Sequence, residues 1–215
     1  MTDRHERLQS ARLYVVCDSQ PDEFLDTVLG AGVDIVQLRI KDAGDDAIVA
    51  AGQRFARAAA RHRALFMLND RPDLVAAAGA DGVHVGQDDV AVSEARAMVG
   101  PDRLIGLSTH SPAQVDAAAD LDVDYIGVGP VHATPTKPGR PAVGLELVGY
   151  AAEHATVPFF AIGGISPENV DAVRSAGASR IAVVRALTDA PDAARAARQL
   201  RDGISTAGGV RLGAA

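Results

Sequence analysis

Short, almost uninterrupted apolar runs alternate along the chain with longer segments in which apolar residues recur at helical spacing. The runs occupy residues 13–17, 35–40, 65–68, 82–85, 104–107, 125–128, 159–162 and 181–184. Runs of this length without polar alternation suit parallel strands covered on both faces. Between them, Ser111-Pro112 and Ser166-Pro167 each join an N-cap residue to a proline at the first helical position. Val115 with Ala118 and Ala119, and Val170 with Val173, then place apolar groups on one helical face. Further helices are expected at 24–30, 45–62, 72–78, 92–99, 145–154 and 192–204.

Eight strand–helix units in 215 residues fit a single-domain (β/α)8 TIM barrel. Parallel strands need crossover helices, and eight of them close a sheet without edges. An open doubly wound sheet has the same periodicity and stands as the structural alternative. No linker divides residues 1–215, which read as one domain with a short N-terminal extension and a small-residue tail after Gly203 suited to fraying.

Composition narrows the function. Lys+Arg total 21 against Asp+Glu 28, a net charge of −7, and there are five Phe, three Tyr and no Trp. That balance lacks the basic footprint and the stacking rings of a nucleic-acid binder, so an anionic substrate would need local cations. A single cysteine, Cys17, can form no internal disulfide and no thiolate pair for zinc. The charged first ten residues lack a signal-peptide core, and no run is long enough to span a membrane. The expectation is a cytoplasmic protein that engages neither membrane nor nucleic acid; a homo-oligomer is compatible with all of this.

The informative polar residues fall where strands end. Gln37, Arg39 and Lys41 alternate at the end of the second run and project to one side. Two inward cations and an amide are costly unless an anion, phosphate foremost, neutralises them; an edge strand with solvated charges is the alternative. The third run ends at Asn69-Asp70, and the segment from Asp81 ends at Asp88-Asp89. Two carboxylates from adjacent loops, with a diphosphate, would supply the hard oxygen ligands of Mg²⁺, although singly each also suits helix capping. His84, inside a strand, reads as a packed, hydrogen-bonded core residue.

Ser108 could donate to a phosphate or open a capped turn, and no Gly-x-Ser-x-Gly elbow marks it as a hydrolase nucleophile. The loop from Gly129 to Pro141 carries Thr134, Thr136 and Lys137 between prolines, which suits a lid or binding segment or an exposed connection. His132 in that loop is a proton-shuttle candidate without a visible partner. Gly163-Gly164 lets backbone N–H groups approach an anion, or makes a tight turn. Arg185, after Val184, adds charge to the same place or pairs on the surface.

Taken in order, Gln37-Leu38-Arg39-Ile40-Lys41, Asn69-Asp70, the 81–89 segment, Gly106-Leu107-Ser108, Gly129-Pro130 with Thr134-Pro135-Thr136-Lys137, and Gly163-Gly164-Ile165 resemble the signatures of the thiamine phosphate synthase family. The resemblance runs from Leu13 to about Leu200. Members of that family join hydroxymethylpyrimidine diphosphate to a thiazole phosphate, releasing diphosphate. The resemblance implies that Gln37, Leu38, Arg39, Ile40, Lys41, Asn69, Ser108 and Lys137 hold the pyrimidine diphosphate. Arg39, Lys41, Ser108 and Lys137 are the expected catalytic set, and Asp70 and Asp89 the Mg²⁺ ligands. Thr134, Pro135, Thr136, Gly164 and the Val184-Arg185 backbone would hold the thiazole phosphate. One departure is Arg185, a position where the family commonly has serine; backbone donation survives it and the serine hydroxyl does not. A thiazole tautomerase, a phosphate-ligand sensor and a sugar-phosphate epimerase are the rival readings. None of them gives a use to both the cationic triplet and the carboxylate pair.

Overall fold

The computed structural model describes residues 3–133 and 141–205. Its strands are β1 (Leu13–Cys17), β2 (Ile35–Leu38), β3 (Leu65–Asn69), β4 (Gly82–Val85), β5 (Leu104–Thr109), β6 (Tyr125–Val128), β7 (Phe159–Ile162) and β8 (Ile181–Val183). Each pairs in parallel with the next, and β8 returns to β1, so the sheet closes and the open alternative falls away. The helices are α1 (Asp3–Ser10), α2 (Asp22–Gly30), α3 (Asp45–His62), α4 (Val75–Ala78), α5 (Val92–Val99), α6 (Pro112–Ala117), α7 (Gly144–His154), α8 (Val170–Ser175), α9 (Arg185–Thr188) and α10 (Ala193–Ser205).

Several boundaries differ from the sequence expectation for identifiable reasons. Strand β2 ends at Leu38 instead of residue 40; Arg39 N–H makes the last bond to the β1 edge, at 2.8 Å to Cys17 O, and the chain then turns through Asp42 at φ 59°. Arg39 and Lys41 are therefore loop residues at the barrel mouth, free of the cost of a charge inside the sheet. Strand β5 runs on to Thr109, whose hydroxyl donates to Gly127 O at 3.1 Å, so Ser108 is a strand residue and opens no turn. Ser111 caps α6 as expected, accepting from Gln114 N–H at 3.3 Å. Ser166-Pro167 does not start a helix; its turn is held by Asn169 Oδ1, which accepts from Ser166 N–H at 2.9 Å, and α8 begins at Val170. The expected 72–78 helix divides into a 3₁₀ turn, Pro72–Leu74, and α4.

Two hydrophobic cores result from strand alternation. Outward residues such as Val15, Val36, Phe66 and Ile126 pack against Leu25, Phe55, Val148 and Leu200 of the helices. Inward residues Tyr14, Ile35, Leu65, Met67, Leu104, Tyr125 and Phe160 fill the barrel. Tyr14, Tyr125 and Phe160 meet edge to face with ring centroids 5.4–6.0 Å apart, a favoured arrangement for aromatic pairs. Cys17 is buried in the outer core, where burial raises its thiol pKa and leaves it a packing residue.

The N-terminal extension is the helix α1, and its Leu8 enters the inner core at 1% exposure. Polar anchors around it repeat every second strand. Asp34, Asp81 and Asp124 immediately precede β2, β4 and β6. Their carboxylates accept from Leu13, Phe66 and Ile105 N–H at 3.0, 3.0 and 2.7 Å. Each also meets an arginine: Arg201 at 2.9 Å, Arg4 at 2.7 Å and Arg96 at 3.0 Å. At the other end of the chain, α10 continues through Ser205 with Ile204 buried, past the expected onset of fraying.

Because Leu8 plugs the barrel base, Leu8→Ala should cost about 2–5 kcal/mol of stability, read as a lowered urea midpoint with an unchanged slope. An unchanged midpoint would show that α1 is not part of the cooperative unit.

Candidate active site

A cavity of about 810 Å³ opens at the carboxyl ends of the strands, the face on which barrels of this kind carry their chemistry. Strand parity supplies its floor. Tyr14, Val16, Gln37, His84, Tyr125, Phe160 and Ala182 point inward, and loop residues form the wall. Gln37, Arg39, Lys41, Asn69, Asp70, Asp89, Ser108, Gly164, Val184 and Arg185 all line it. Leu38 and Ile40 do not. Their parity turns them to the helix side, where they pack with the outer core, so only their backbone can serve a ligand. Thr134, Pro135, Thr136 and Lys137 lie outside the described residues.

Charge is arranged unevenly around this mouth. Arg54, Arg61, Arg71, Arg96 and Arg201 are all salt-bridged elsewhere on the molecule. Among the described residues, Arg39, Lys41 and Arg185 face the cavity with no carboxylate in salt-bridge contact. Three cations without a carboxylate in salt-bridge contact share the lining with four carboxylates, Asp70, Asp88, Asp89 and Asp189. Both signs therefore meet at the mouth, a pattern suited to a multiply charged anion bound together with a metal cation.

Opposite these cations stand Asp70 and Asp89. Asp70 follows β3 in the left-handed region at φ 61°, held by its N–H bond to His84 O at 2.9 Å and by the Asn69 side-chain amide. Burial first, and then the facing Asp89 carboxylate, push its pKa up to about 6 against the opposing pull of Asn69 and Arg39. Asp89 accepts from Gly86 N–H at 2.7 Å, and a Cβ on Gly86 would sit 2.7 Å from that same oxygen, so glycine admits the close approach. Two carboxylates that resist joint ionisation form a site short of a cation. Among the described residues no third acid, histidine or thiolate converges with them. That donor set fits Mg²⁺, which is commonly held by one or two carboxylates with water and substrate phosphate oxygens.

The loops after β6 and β7 interlock beside the cavity. Val131 and His132 N–H donate to Ile162 O at 2.8 Å and Gly163 O at 3.0 Å. Gly163 and Gly164 adopt φ 110° and 63°, and a Cβ on Gly164 would lie 2.8 Å from His132 Cβ. Both glycines are required by this contact and by the backbone angle together. His132 is not among the described lining residues.

Beneath the wall a buried polar chain crosses the barrel. Gln37 Nε2 donates to Asn69 Oδ1 at 2.8 Å, and Tyr14 OH donates to Gln37 Oε1 at 2.8 Å. Tyr14 and Tyr125 hydroxyls are 3.0 Å apart, Tyr125 OH is 3.1 Å from His84 Nδ1, and His84 Nε2 is 2.9 Å from Ser108 Oγ. Gln87 Nε2 donates to Ser108 O at 2.7 Å and holds that strand end from the other side. Tyr14, Tyr125, His110 and Asp189 are lining residues that motif spacing does not single out. For the two tyrosines a signal existed: both occupy the inward parity of otherwise apolar strands.

Comparison with known proteins agrees with this geometry. A family model described as thiamine monophosphate synthase matches residues 13–187. A thiamine-phosphate synthase of Acidothermus cellulolyticus is 52% identical over 207 residues, covering 93% of this chain and 98% of that protein. One from Thermus thermophilus is 49% identical over 199 residues, 89% of this chain and 96% of that protein. The solved structure of thiamine phosphate pyrophosphorylase from Pyrococcus furiosus superposes with a TM-score of 0.83 at 32% identity, over 93% of this chain and 96% of that chain.

A raised Asp70 pKa has a stability consequence. Through the pH range between the ordinary aspartate value and about 6, the native protein binds more protons at Asp70 than the unfolded chain, so metal-free stability falls as pH rises. In EDTA, Asp70→Asn should melt above wild type at pH 7.5, with the difference closing towards pH 4. A variant that melts below wild type at pH 7.5 would mean that the Asp70 charge is stabilising.

Proposed function

The chain belongs to the thiamine monophosphate synthase family, and from that premise we propose how its cavity joins hydroxymethylpyrimidine diphosphate to a thiazole phosphate. The activity is that of a thiamine-phosphate synthase, a transferase of thiamine biosynthesis. The observation that carries the mechanistic reading is the meeting of unpaired Arg39, Lys41 and Arg185 with the Asp70–Asp89 pair in one cavity.

Arg39 and Lys41 take the diphosphate of the first substrate. Gln37 spends one amide hydrogen on Asn69 and one lone pair on Tyr14. One N–H and one lone pair are left for the cavity, a pattern complementary to a ring nitrogen beside an amino group. Asp70 and Asp89 would hold Mg²⁺, which when bound supplies neutralisation of charge on the diphosphate oxygens. Gly164, the Val184-Arg185 backbone and the Arg185 side chain receive the phosphate of the thiazole. The resemblance assigns Thr134, Pro135 and Thr136 to the same phosphate, and Ser108 and Lys137 to the diphosphate.

The bond from the pyrimidine methylene to the diphosphate oxygen breaks, with its electron pair leaving on diphosphate. The electron-rich aminopyrimidine carries the resulting positive charge, and the thiazole nitrogen lone pair then forms the new C–N bond. No proton is transferred, so no enzyme nucleophile or base is needed. The chain's contribution is to hold the two substrates in line, to stabilise charge developing on diphosphate with Arg39 and Lys41, and to keep water off the methylene. A tautomerase would need an acid–base group on the thiazole. Its best sequence candidate, His132, lies outside the cavity lining.

Among the described residues no helix is long and apolar enough to cross a membrane, and we place the enzyme in the cytoplasm. Incubation with both substrates and Mg²⁺ should yield thiamine phosphate and diphosphate in equal amounts. Asp89→Ala should lower turnover on the order of 100-fold or more with its melting curve intact. Wild-type turnover by that folded variant would remove Asp89 from the metal site, and no product from folded wild type would reject the activity.

A further inference from the structure

The polar chain under the cavity has a direction that follows from the chemistry of its members. The Asn69 side chain turns its amide nitrogen to Asp70 Oδ2, which accepts. Asn69 Oδ1 then accepts from Gln37 Nε2, and Gln37 Oε1 accepts the single hydroxyl hydrogen of Tyr14. With that hydrogen committed, Tyr125 must donate to Tyr14 across their 3.0 Å contact. The Tyr125 oxygen is left to accept from His84 Nδ1–H, and with a single hydrogen on the imidazole Nε2 accepts from the Ser108 hydroxyl. Seven side chains, six of them on strands β1 to β6 and Asp70 on the loop after β3, are thus joined by six hydrogen bonds that run one way, from Ser108 on β5 to Asp70.

Burial supports the assignment. Tyr14 and Tyr125 are 2% and 0% exposed, and desolvation raises both phenol pKa values, so each has one hydrogen to give. The strands also make room for the chain. A Cβ on Gly106 would overlap the Tyr125 phenol and stand 2.6 Å from His84 Nδ1. A Cβ on Gly127 would stand 3.4 Å from His84 Cε1. A larger residue at Gly106 would part His84 from Tyr125.

We propose that Tyr14, Tyr125 and His84 are positioning residues for the pyrimidine-diphosphate half of the reaction, locking the Gln37 amide and the Ser108 hydroxyl into single orientations. The proposal rests on the synthase reading of the cavity. None of the three needs to touch the reacting atoms. Tyr125 is the link whose loss divides the chain into a Gln37 end and a Ser108 end. With Tyr125 replaced by phenylalanine, His84 loses the acceptor that fixes its tautomer, and the Tyr14 hydroxyl loses its donor. Among the described residues, the loops after β7 and β8 on the thiazole-phosphate side contribute no member to the hydrogen bonds that make up this chain.

Two measurements test this. In ligand-free wild type, ¹⁵N NMR of the His84 ring should show hydrogen on Nδ1 and a bare Nε2; in Tyr125→Phe the ring should become a mixture of tautomers. Kinetically, Tyr125→Phe and Tyr14→Phe should each lower kcat/KM for the pyrimidine diphosphate about tenfold, the worth of one buried hydrogen bond. The KM for thiazole phosphate should stay within about twofold. Hydrogen on Nε2 in wild type would overturn the chain direction. Unchanged kinetics, or equal losses toward both substrates, would overturn the positioning role. A wild type without synthase activity would instead defeat the underlying reading, and the NMR result would still judge the chain direction on the folded protein.

Discussion

Because successive residues of a strand face opposite sides of the sheet, a closed barrel must accommodate every second side chain in its interior. Here that demand divides the interior by height. Near the strand starts, Ile35, Leu65 and Leu104, with Leu8 from α1, make an apolar layer. Two residues or more further along, the same parity brings in Gln37, Asn69 and Ser108, with Tyr14 and Tyr125 beneath them. These groups are tolerated because they bond to one another; a single apolar replacement would strand its neighbours' donors and acceptors in a place water does not easily reach. The floor of the cavity is therefore continuous with the core, and the site inherits its rigidity from the closure of the sheet.

Charge follows the same polarity. At the base, Asp34, Asp81 and Asp124 are satisfied twice over, by backbone N–H groups and by arginines. At the mouth the pattern reverses. Arg39, Lys41 and Arg185 lack carboxylate partners among the described residues, and Asp70 and Asp89 face each other at the expense of stability. On the proposed reading, these charges would become favourable when a diphosphate and a divalent cation bind together. The net charge of −7 therefore conceals a mouth in which three cations stand among four carboxylates.

Hydrophobic periodicity located every strand, since strands buried on both faces leave an unbroken apolar signature. It missed α1, whose one buried apolar side chain, Leu8, is too little pattern to set against a charged surround. It also ran β2 two residues long, because Ile40 continues the apolar alternation after the ladder has ended. The Gln37, Arg39 and Lys41 triplet and the carboxylate pair could be read directly, because polar residues clustered where apolar runs end stand out, although Arg39 and Lys41 lie beyond the strand. The relay through Tyr14, Tyr125 and His84 could not. Its members are far apart in sequence and become a chain only when closure brings β1, β4 and β6 around one axis. His84 read as a packed core residue, and it is hydrogen-bonded in the floor, with one ring nitrogen on Tyr125 and the other on Ser108.

If departure of diphosphate is driven by positioned positive charge and precedes bond formation, the rate must depend on how well the pyrimidine carries a cation. The most direct measurement is a single-turnover rate with the pyrimidine methyl group replaced by trifluoromethyl, a change of similar shape and opposite electronic demand. The account expects the chemical step to slow by about 100-fold or more, some 2.7 kcal/mol of lost transition-state stabilisation, with binding of the analogue little changed. An analogue that is bound and turned over at the normal rate would contradict a cationic intermediate and the role assigned to the mouth.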